Sequence, residues 1–527
     1  MQYTLLVAGV TAKPPIQAGQ STRRFKEEGM RYPMTAIVTM AALVTFAGPV
    51  QLKAQHSRYK LIDVGTLGGP NSSIGFEASP LNSLSDDGIL AACSETATPD
   101  PNYPNFSPLV LPGSYGLPEP DPLIIHAFQW KDGTLTDLSA LPGVNSSCIS
   151  HISGNGWIAG QSENGMIDPI TGWPEAQAVL WKHGQAVNLG TLGGNESFPN
   201  AVNNRGQVVG LAENATPDSF GLGFGQQARA FLWERGTMQD LGTLGGPDAF
   251  AIDINDRGRV LGVSFINSIP NQTTGVPTLD GFLWENGKMI DIPDPLGGTQ
   301  LSPYYLSKRG QVVGNANLAG DNFEQARHPF LWEEGTFTDL GTFGGTIGDA
   351  YKINDAGQIV GEASFADTTY HAALWQNGSI SDLGTIGSDP CSVALDINSR
   401  GHAVGWSGIC DQSAPRPFLW DKTAGMVDLN TLISSDSGIY VFWAGNINDR
   451  GEIAAAGLLP SGDTHAVLLI PCGTDNPGCE ADVIPTAASP SSRSDAAFPR
   501  RLSEAAFRPI RRSWVSQDRD LLRRGHK

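Results

Sequence analysis

Basic side chains are scarce in this 527-residue sequence: Lys and Arg total 34 against 53 Asp and Glu, and charged residues reach only 17%. The shortage is uneven. Residues 1–58 carry seven bases and two acids, and residues 486–527 carry ten bases and four acids; taking those +5 and +6 ends from the overall −19 leaves −30 on residues 59–485. A surface this acidic repels phosphate backbones and anionic lipid, which argues against nucleic-acid binding and favours solubility, cations or basic partners. An apolar run long enough to span a bilayer is also missing. The stretch from Met34 to about Ala47 has only about 14 residues, the length of a secretory h-region. Catalytic signatures are equally thin, with no G-x-S-x-G, no H-E-x-x-H and no phosphate loop. The G-L-G-F-G at Gly221 lies in a long loop without strand-to-helix context.

What is present is a repeat. D-L-G-T-L-G-G, starting at Asp240, has relatives at Asp63, Asp137, Asn188, Asp291, Asp339, Asp382 and Asp428, a period of roughly 50 residues. Each copy leads into an I-N-x-x-G-x-V-V-G string with its turn glycine at Gly88, Gly156, Gly206, Gly258, Gly310, Gly357, Gly401 or Gly451. An A-F-L-W string then ends at Trp130, Trp181, Trp233, Trp284, Trp332, Trp375 or Trp420, with Leu469 at the eighth site. Short Val-, Ile-, Phe- and Leu-rich runs punctuated by Gly, Asn, Asp and Pro, with no competing helical period, predict four strands per unit. In the third unit these fall at 199–202, 207–211, 228–233 and 237–241. Asn or Ser at the first turn position bonds the backbone two residues on, and Gly supplies positive φ at the last. The Asp253 string resembles the start of a calcium loop, but Arg257 takes the fifth ligand position and Ser264 the twelfth, which removes that reading. The repeated tryptophans read as packing between sheets, since burying each such side chain contributes roughly 1.5–3 kcal/mol.

A lone fourth strand at 59–65 and a lone third strand at 465–470 predict closure of the last unit from both chain ends. The expected fold is therefore all-β, an eight-bladed β-propeller closed by pairing of N- and C-terminal strands, with a seven-bladed propeller as the alternative. Residues 1–58 read as a signal peptide and N-terminal extension, 59–470 as the propeller, and 471–527 as a Cys-containing loop and disordered basic tail. The three strings resemble those of the HAF-repeat probable extracellular proteins of bacteria, over about residues 59–470. This resemblance implies an exported repeat protein, secreted or periplasmic, and supplies no catalytic residues. Leu469 in place of Trp, the longer D-I-P-D-P-L-G-G at Asp291 and the weak first two units depart from the pattern.

Six cysteines without C-x-x-C spacing suit an oxidising compartment. A hairpin centred between Arg400 and Gly401 would set Cys391 opposite Cys410. Cys472 and Cys479 flank a short loop, and Cys93 with Cys148 form a further pair, the alternative being free thiols. From the V-V-G string to the next Trp or Leu469 the lengths are 38, 21, 23, 22, 18, 14, 15 and 12, so the excess lies in the first four units. Long loops on a rigid scaffold are where binding residues concentrate. The candidates there are Asp100, Tyr103, Phe106, Tyr115, Glu119, Asp121, Asp168, Trp173, Glu175 and Phe220, a mixture suited to a glycan or protein partner. The function expected is that of a monomeric binding module with no cofactor, metal or catalytic residue; the alternative is a polysaccharide-active enzyme, a glycoside hydrolase or lyase, using the same carboxylates. His126, His328, His371 and His465 open A-F-L-W strands and read as structural.

Overall fold

The computed structural model describes residues 58–473, apart from 75–81, 105–120, 144, 183, 219, 221–224, 273, 321–325 and 413. The expected signal segment up to residue 57 and the expected tail from residue 474 lie outside the described residues. The described chain is all-β and propeller-like. Its strands form six four-stranded antiparallel sheets and one eight-stranded sheet, the latter where the fourth and fifth repeats join through a parallel pairing of Leu279 with Gln300. Two single-turn 3-10 helices, Leu429–Thr431 and Ser435–Ser437, are the only helices among the described residues.

The third repeat shows how its strings build a sheet. Its strands are Gly193–Val202, Val208–Pro217, Gln226–Glu234 and Thr237–Asp240, paired in that order. The first three run further towards the long loops than the hydrophobic pattern predicts, because polar backbone pairing continues beyond the apolar run. Register shifts between Pro199 and Ala201, and the first strand bulges there. The glycine ending V-V-G sits against that bulge: a Cβ on Gly210 would lie 2.0 Å from the Phe198 carbonyl oxygen. Close backbone approach, rather than a turn, is what this second glycine serves.

Core clusters form between successive sheets. Ala178 and Leu180 of the second repeat pack with Val202, Val208 and Phe231 of the third, and Ala201, Val209 and Ala230 of the third pack with Ala249, Ala251 and Phe282 of the fourth. Trp130, Trp181, Trp284, Trp332 and Trp375 are buried, as expected of packing residues. Leu469 is fully buried in their place in the last sheet.

The turn asparagine has two roles, of which the sequence showed one. Asn203 Oδ1 accepts from the Arg205 N–H at 3.0 Å and the Gln207 N–H at 3.1 Å, the local turn expected. Its Nδ2 also donates to the Asn255 carbonyl of the next repeat at 3.0 Å. Asn255 reaches Ser307, Asn354 reaches Asn398, Asn398 reaches Asn448, and Asn448 reaches Ser85 near the other end of the repeat array, each at 3.0–3.1 Å. At the opposite end, the first residue of D-L-G-T-L-G-G ties the third and fourth strands of one sheet together. Asp240 accepts from the Gly242 N–H at 2.8 Å and pairs with Arg229 at 3.1 Å. In four other repeats the same carboxylate pairs with the histidine opening the third strand: His126–Asp137, His328–Asp339, His371–Asp382 and His465–Asp63, at 2.8–3.0 Å.

The two ends of the repeat array meet in one sheet. Tyr59–Asp63 pairs antiparallel with Thr464–Pro471, which continues through Ile453–Leu458 to Tyr440–Ile447. Cys391–Cys410 and Cys93–Cys148 are bridged, with Cα atoms 5.1 and 5.2 Å apart. The register behind the first expectation needs correction: Cys391 faces Gly408, because the hairpin centres on Arg400 and a bulge between Ala394 and Asp396 displaces the pairing by one residue more, and Cys410 lies in the following loop. Cys472 is also disulfide-bonded; Cys479, its expected partner, lies outside the described residues.

Candidate functional site

Antiparallel order puts the second-to-third and fourth-to-first connections of every repeat at one end of its sheet. The long loops of the first four repeats therefore share a face. Of the ten candidate binding residues, Phe106, Tyr115 and Glu119 lie outside the described residues. The aspartates among the rest hold turns: Asp100 accepts from the Asn102 N–H at 2.7 Å, Asp121 from Leu123 at 2.9 Å, and Asp168 from Ile170 at 2.6 Å. Asp168 is 0% exposed, and its Oδ2 has no hydrogen-bond partner among the described residues. Glu175 accepts from Asn164 Nδ2 at 2.7 Å, and half-buried Trp173 bonds Thr171 Oγ1 through its backbone N–H at 3.2 Å. Phe220 packs edge-on against Phe265, 5.9 Å between ring centres. Tyr103 is 52% exposed and is the most open of the seven.

The structure brings Asp100 and Asp121 together, the Asp100 N–H bonding the neighbouring Pro122 carbonyl at 2.9 Å. It also brings Asp168 and Glu175 into the field of two carboxylates that the loops did not advertise, Glu196 and Glu213. Glu196 is pushed up to about 9 by burial first, and then by the charges of Glu213, Asp168 and Glu175. Asp248 and Asp280 are each pushed up to about 7, the first by burial and Asp218, the second by burial and the charges of Asp291 and Asp294. Glu95, Asp100 and Asp121 are raised too, burial being the leading cause. Desolvation of this kind disfavours the charged form wherever no cation answers it.

Beyond this arc two arginines answer buried or half-buried carboxylates. Arg327 holds Asp349 at 2.7 Å and lies 3.7 Å from Glu362, and Arg416 holds Asp389 at 2.6 Å. The signal for the arc was in the repeat alignment. The residue before the first strand's buried run is Asn71, Ser146, Glu196, Asp248 or Gln300 in the first five repeats and Ile347 in the sixth. It escapes loop-based reasoning because it lies in the first strand or immediately before it. Also unanticipated is a set of exposed apolar side chains on the same loops: Met166 at 61%, Ile167 at 53%, Ile170 at 50% and Ile269 at 73%. Such groups on a surface otherwise rich in carboxylates suit contact with an amphipathic or basic partner.

At the other end of the first strands, bordered by the I-N-x-x-G turns, lies a cavity of about 240 Å³. Repeats one to eight all contribute to its lining. Among the described residues no group of three or more His, Cys, Asp or Glu is placed to hold a metal ion, and no helix is long and apolar enough to cross a membrane.

These features define a class, an all-β, propeller-like repeat protein with one elaborated loop face. No family model matches the chain, and neither does any curated protein. Among solved structures it is similar to the Pyrococcus horikoshii acylaminoacyl peptidase, at 11% identity and TM-score 0.37, covering 61% of this chain and 52% of that one. It is similar to a Mycobacterium tuberculosis puromycin-hydrolyzing peptidase at 11% and 0.39, covering 78% and 55%. It is also similar to the β-propeller domain of the Trilobed protease from Pyrococcus furiosus, at 9% and 0.36, covering 63% and 99%. The chain spans about half the length of the first two. At these identities and scores the likeness carries no chemistry to this protein.

Proposed function

We propose that this chain is an exported eight-bladed β-propeller, as its resemblance to HAF-repeat proteins implies, and that it acts outside the cytoplasm as a binding module. Eight blades and a closed ring are supported by the way the two ends of the repeat array interact. Ala466 N–H bonds Ser72 Oγ at 3.0 Å, the contact that Ala178 makes with Ser197 between the second and third repeats at 2.9 Å. Asn448 reaches Ser85 as Asn203 reaches Asn255. Export is supported by the two bridged cysteine pairs, which persist in oxidising compartments.

The observation that carries the binding role is the asymmetry of the long-loop face. Exposed Tyr103, Met166, Ile167, Ile170 and Ile269, and the carboxylates Glu95, Asp121, Glu196, Asp248 and Asp280 whose pKa burial raises, fall in repeats one to four; beyond them, among the described residues, Ile409 of the seventh repeat is exposed alone, and Arg327 of the fifth repeat and Arg416 of the seventh pair with carboxylates. The partner is a glycan or an amphipathic or basic protein segment. A screen of immobilised glycans and cell-surface extracts, run with the full chain and with an Ile167→Ser/Ile170→Ser variant, tests this; binding retained in the variant removes this face as the site. The polysaccharide-active alternative keeps one observation in its favour. Asp121 and Asp100 sit together with raised pKa values, as an acid catalyst needs. Chain shortening of a bound polysaccharide would decide for it, and an Asp121→Asn variant would then abolish turnover.

A further inference from the structure

We infer that the cavity bordered by the I-N-x-x-G turns is a binding site for a small organic cation carrying an ammonium or guanidinium group. It lies at the opposite end of the first strands from the long loops, so it is independent of the face proposed above. Its volume of about 240 Å³ is below that of pockets for drug-sized ligands and suits a small molecule.

Charge selects the class. The second turn residue of the repeats forms the mouth, which includes Asp86, Asp256, Asp355 and Asp449 and a single lysine, Lys308. Lys308 is 3.6 Å from Asp355. Asp256 accepts from Asn204 N–H and Nδ2 at 2.9 and 2.8 Å, and Asp449 accepts from the Ser399 N–H at 2.8 Å. The Asp86 N–H donates to the Gly154 carbonyl at 3.0 Å, but its carboxylate has no hydrogen-bond or ion-pair partner among the described residues; burial first and then the charge of Asp449 raise its pKa, against the lowering influence of Lys308 and Lys352. Deeper, Lys352 is already committed: it lies 3.0 Å from Asp396 and 5.0 Å over the Tyr305 ring. The rim therefore keeps an excess of negative charge that the protein does not itself neutralise.

The walls supply the second requirement. Tyr304 and Tyr351 stack with ring centres 5.3 Å apart, and they line the cavity with Trp443. Both tyrosines lie deep in the fold yet keep partial exposure, as the open cavity allows. Aromatic faces attract cations by their quadrupoles, most strongly where water is scarce. An anion would meet the rim carboxylates, and a neutral sugar would leave their repulsion unrelieved.

The test is calorimetric titration of the full chain with agmatine, which carries both an ammonium and a guanidinium group, and in parallel with maltose. Saturable agmatine binding and no maltose binding are expected. Asp86→Asn/Asp449→Asn keeps the turn geometry, since Asn can still accept the Ser399 N–H; it is expected to bind agmatine about tenfold more weakly. Gly445→Leu keeps every charge and adds an apolar side chain to the lining beside Trp443, the Cβ lying 3.3 Å from the flexible end of Ile74 and 3.9 Å from the Trp443 indole nitrogen. It is expected to weaken binding at least about tenfold while circular dichroism stays unchanged. Absence of saturable agmatine binding overturns the inference, as does equal affinity for maltose or undiminished affinity in both variants.

Discussion

Replacing Glu196 by Gln is expected to stabilise the protein, although the position is buried. Glu196 is 3% exposed, and burial with three neighbouring carboxylates pushes its pKa from 4.5 to about 9. At neutral pH the folded chain therefore holds this carboxyl protonated, whereas the unfolded chain ionises it. The native state binds the extra proton, so stability falls as pH rises from the unfolded value towards the folded one. Between about pH 4.5 and 7, at about 1.4 kcal/mol per pH unit, the cost is roughly 3 kcal/mol. Gln removes the ionisation and keeps the shape. Its Oε1 can accept the Ala176 N–H that now lies 2.6 Å from Glu196 Oε2. Its amide can donate to Glu213 as Asn71 Nδ2 donates to Glu95 at 3.0 Å in the first repeat. Urea unfolding followed by tryptophan fluorescence at about pH 5, 7 and 8.5 measures the effect. The variant should gain roughly 2–3 kcal/mol at pH 7 and more at 8.5, with little difference near pH 5. A variant no more stable than the parent, with the same pH slope, would refute the assignment of a protonated Glu196.

Three further changes probe the scaffold. Gly210→Ala drives a Cβ to 2.0 Å from the Phe198 oxygen, so a loss of about 2–4 kcal/mol in urea unfolding is expected; parental stability would mean that the bulge can open freely. Asn203→Ser keeps the local turn and loses the bond to Asn255, whereas Asn203→Ala loses both; Ser should cost about 1 kcal/mol and Ala about 2, and equal losses would remove the inter-repeat bond from the account. The Asp63 hydrogen bond raises the pKa of His465 from 6.5, so its contribution to the terminal pairing is complete below that value and is lost as pH climbs through the raised one. The lowered pKa of Asp63, where bonds from His465 and the Gly65 N–H outweigh burial, makes its share present above 3.8 and lost as pH falls. Hydrogen exchange of the 59–63 amides should thus quicken from about pH 6 to 8.5 beyond the intrinsic rate increase, and His465→Gln should erase that excess.

Much of the architecture was legible because each repeat must solve the same local problems. The turn asparagine, the turn glycine and the buried tryptophan each answer a short-range demand, so they recur at fixed spacing and identify themselves. The meeting of the two ends of the array was legible for a related reason: an unpaired strand at 59–63 and a three-stranded last unit leave complementary edges. The candidate site, as proposed, was legible only in outline. Loop length marked the face, but the types of its residues did not show that Asp168 is spent on a turn or that Phe220 belongs to the packing.

What the sequence determined by itself is the β-repeat, its four-strand unit and its acidic surface, because periodicity, turn chemistry and net charge are local or additive properties. What only the tertiary structure decided is where charges from different repeats meet. Glu196 feels Glu213 and Asp168 across strands and loops, Arg327 finds Asp349 and Glu362, and turns far apart in the chain border one cavity. Pairwise electrostatics and desolvation depend on distance and burial, and neither can be computed until the sheets are set side by side.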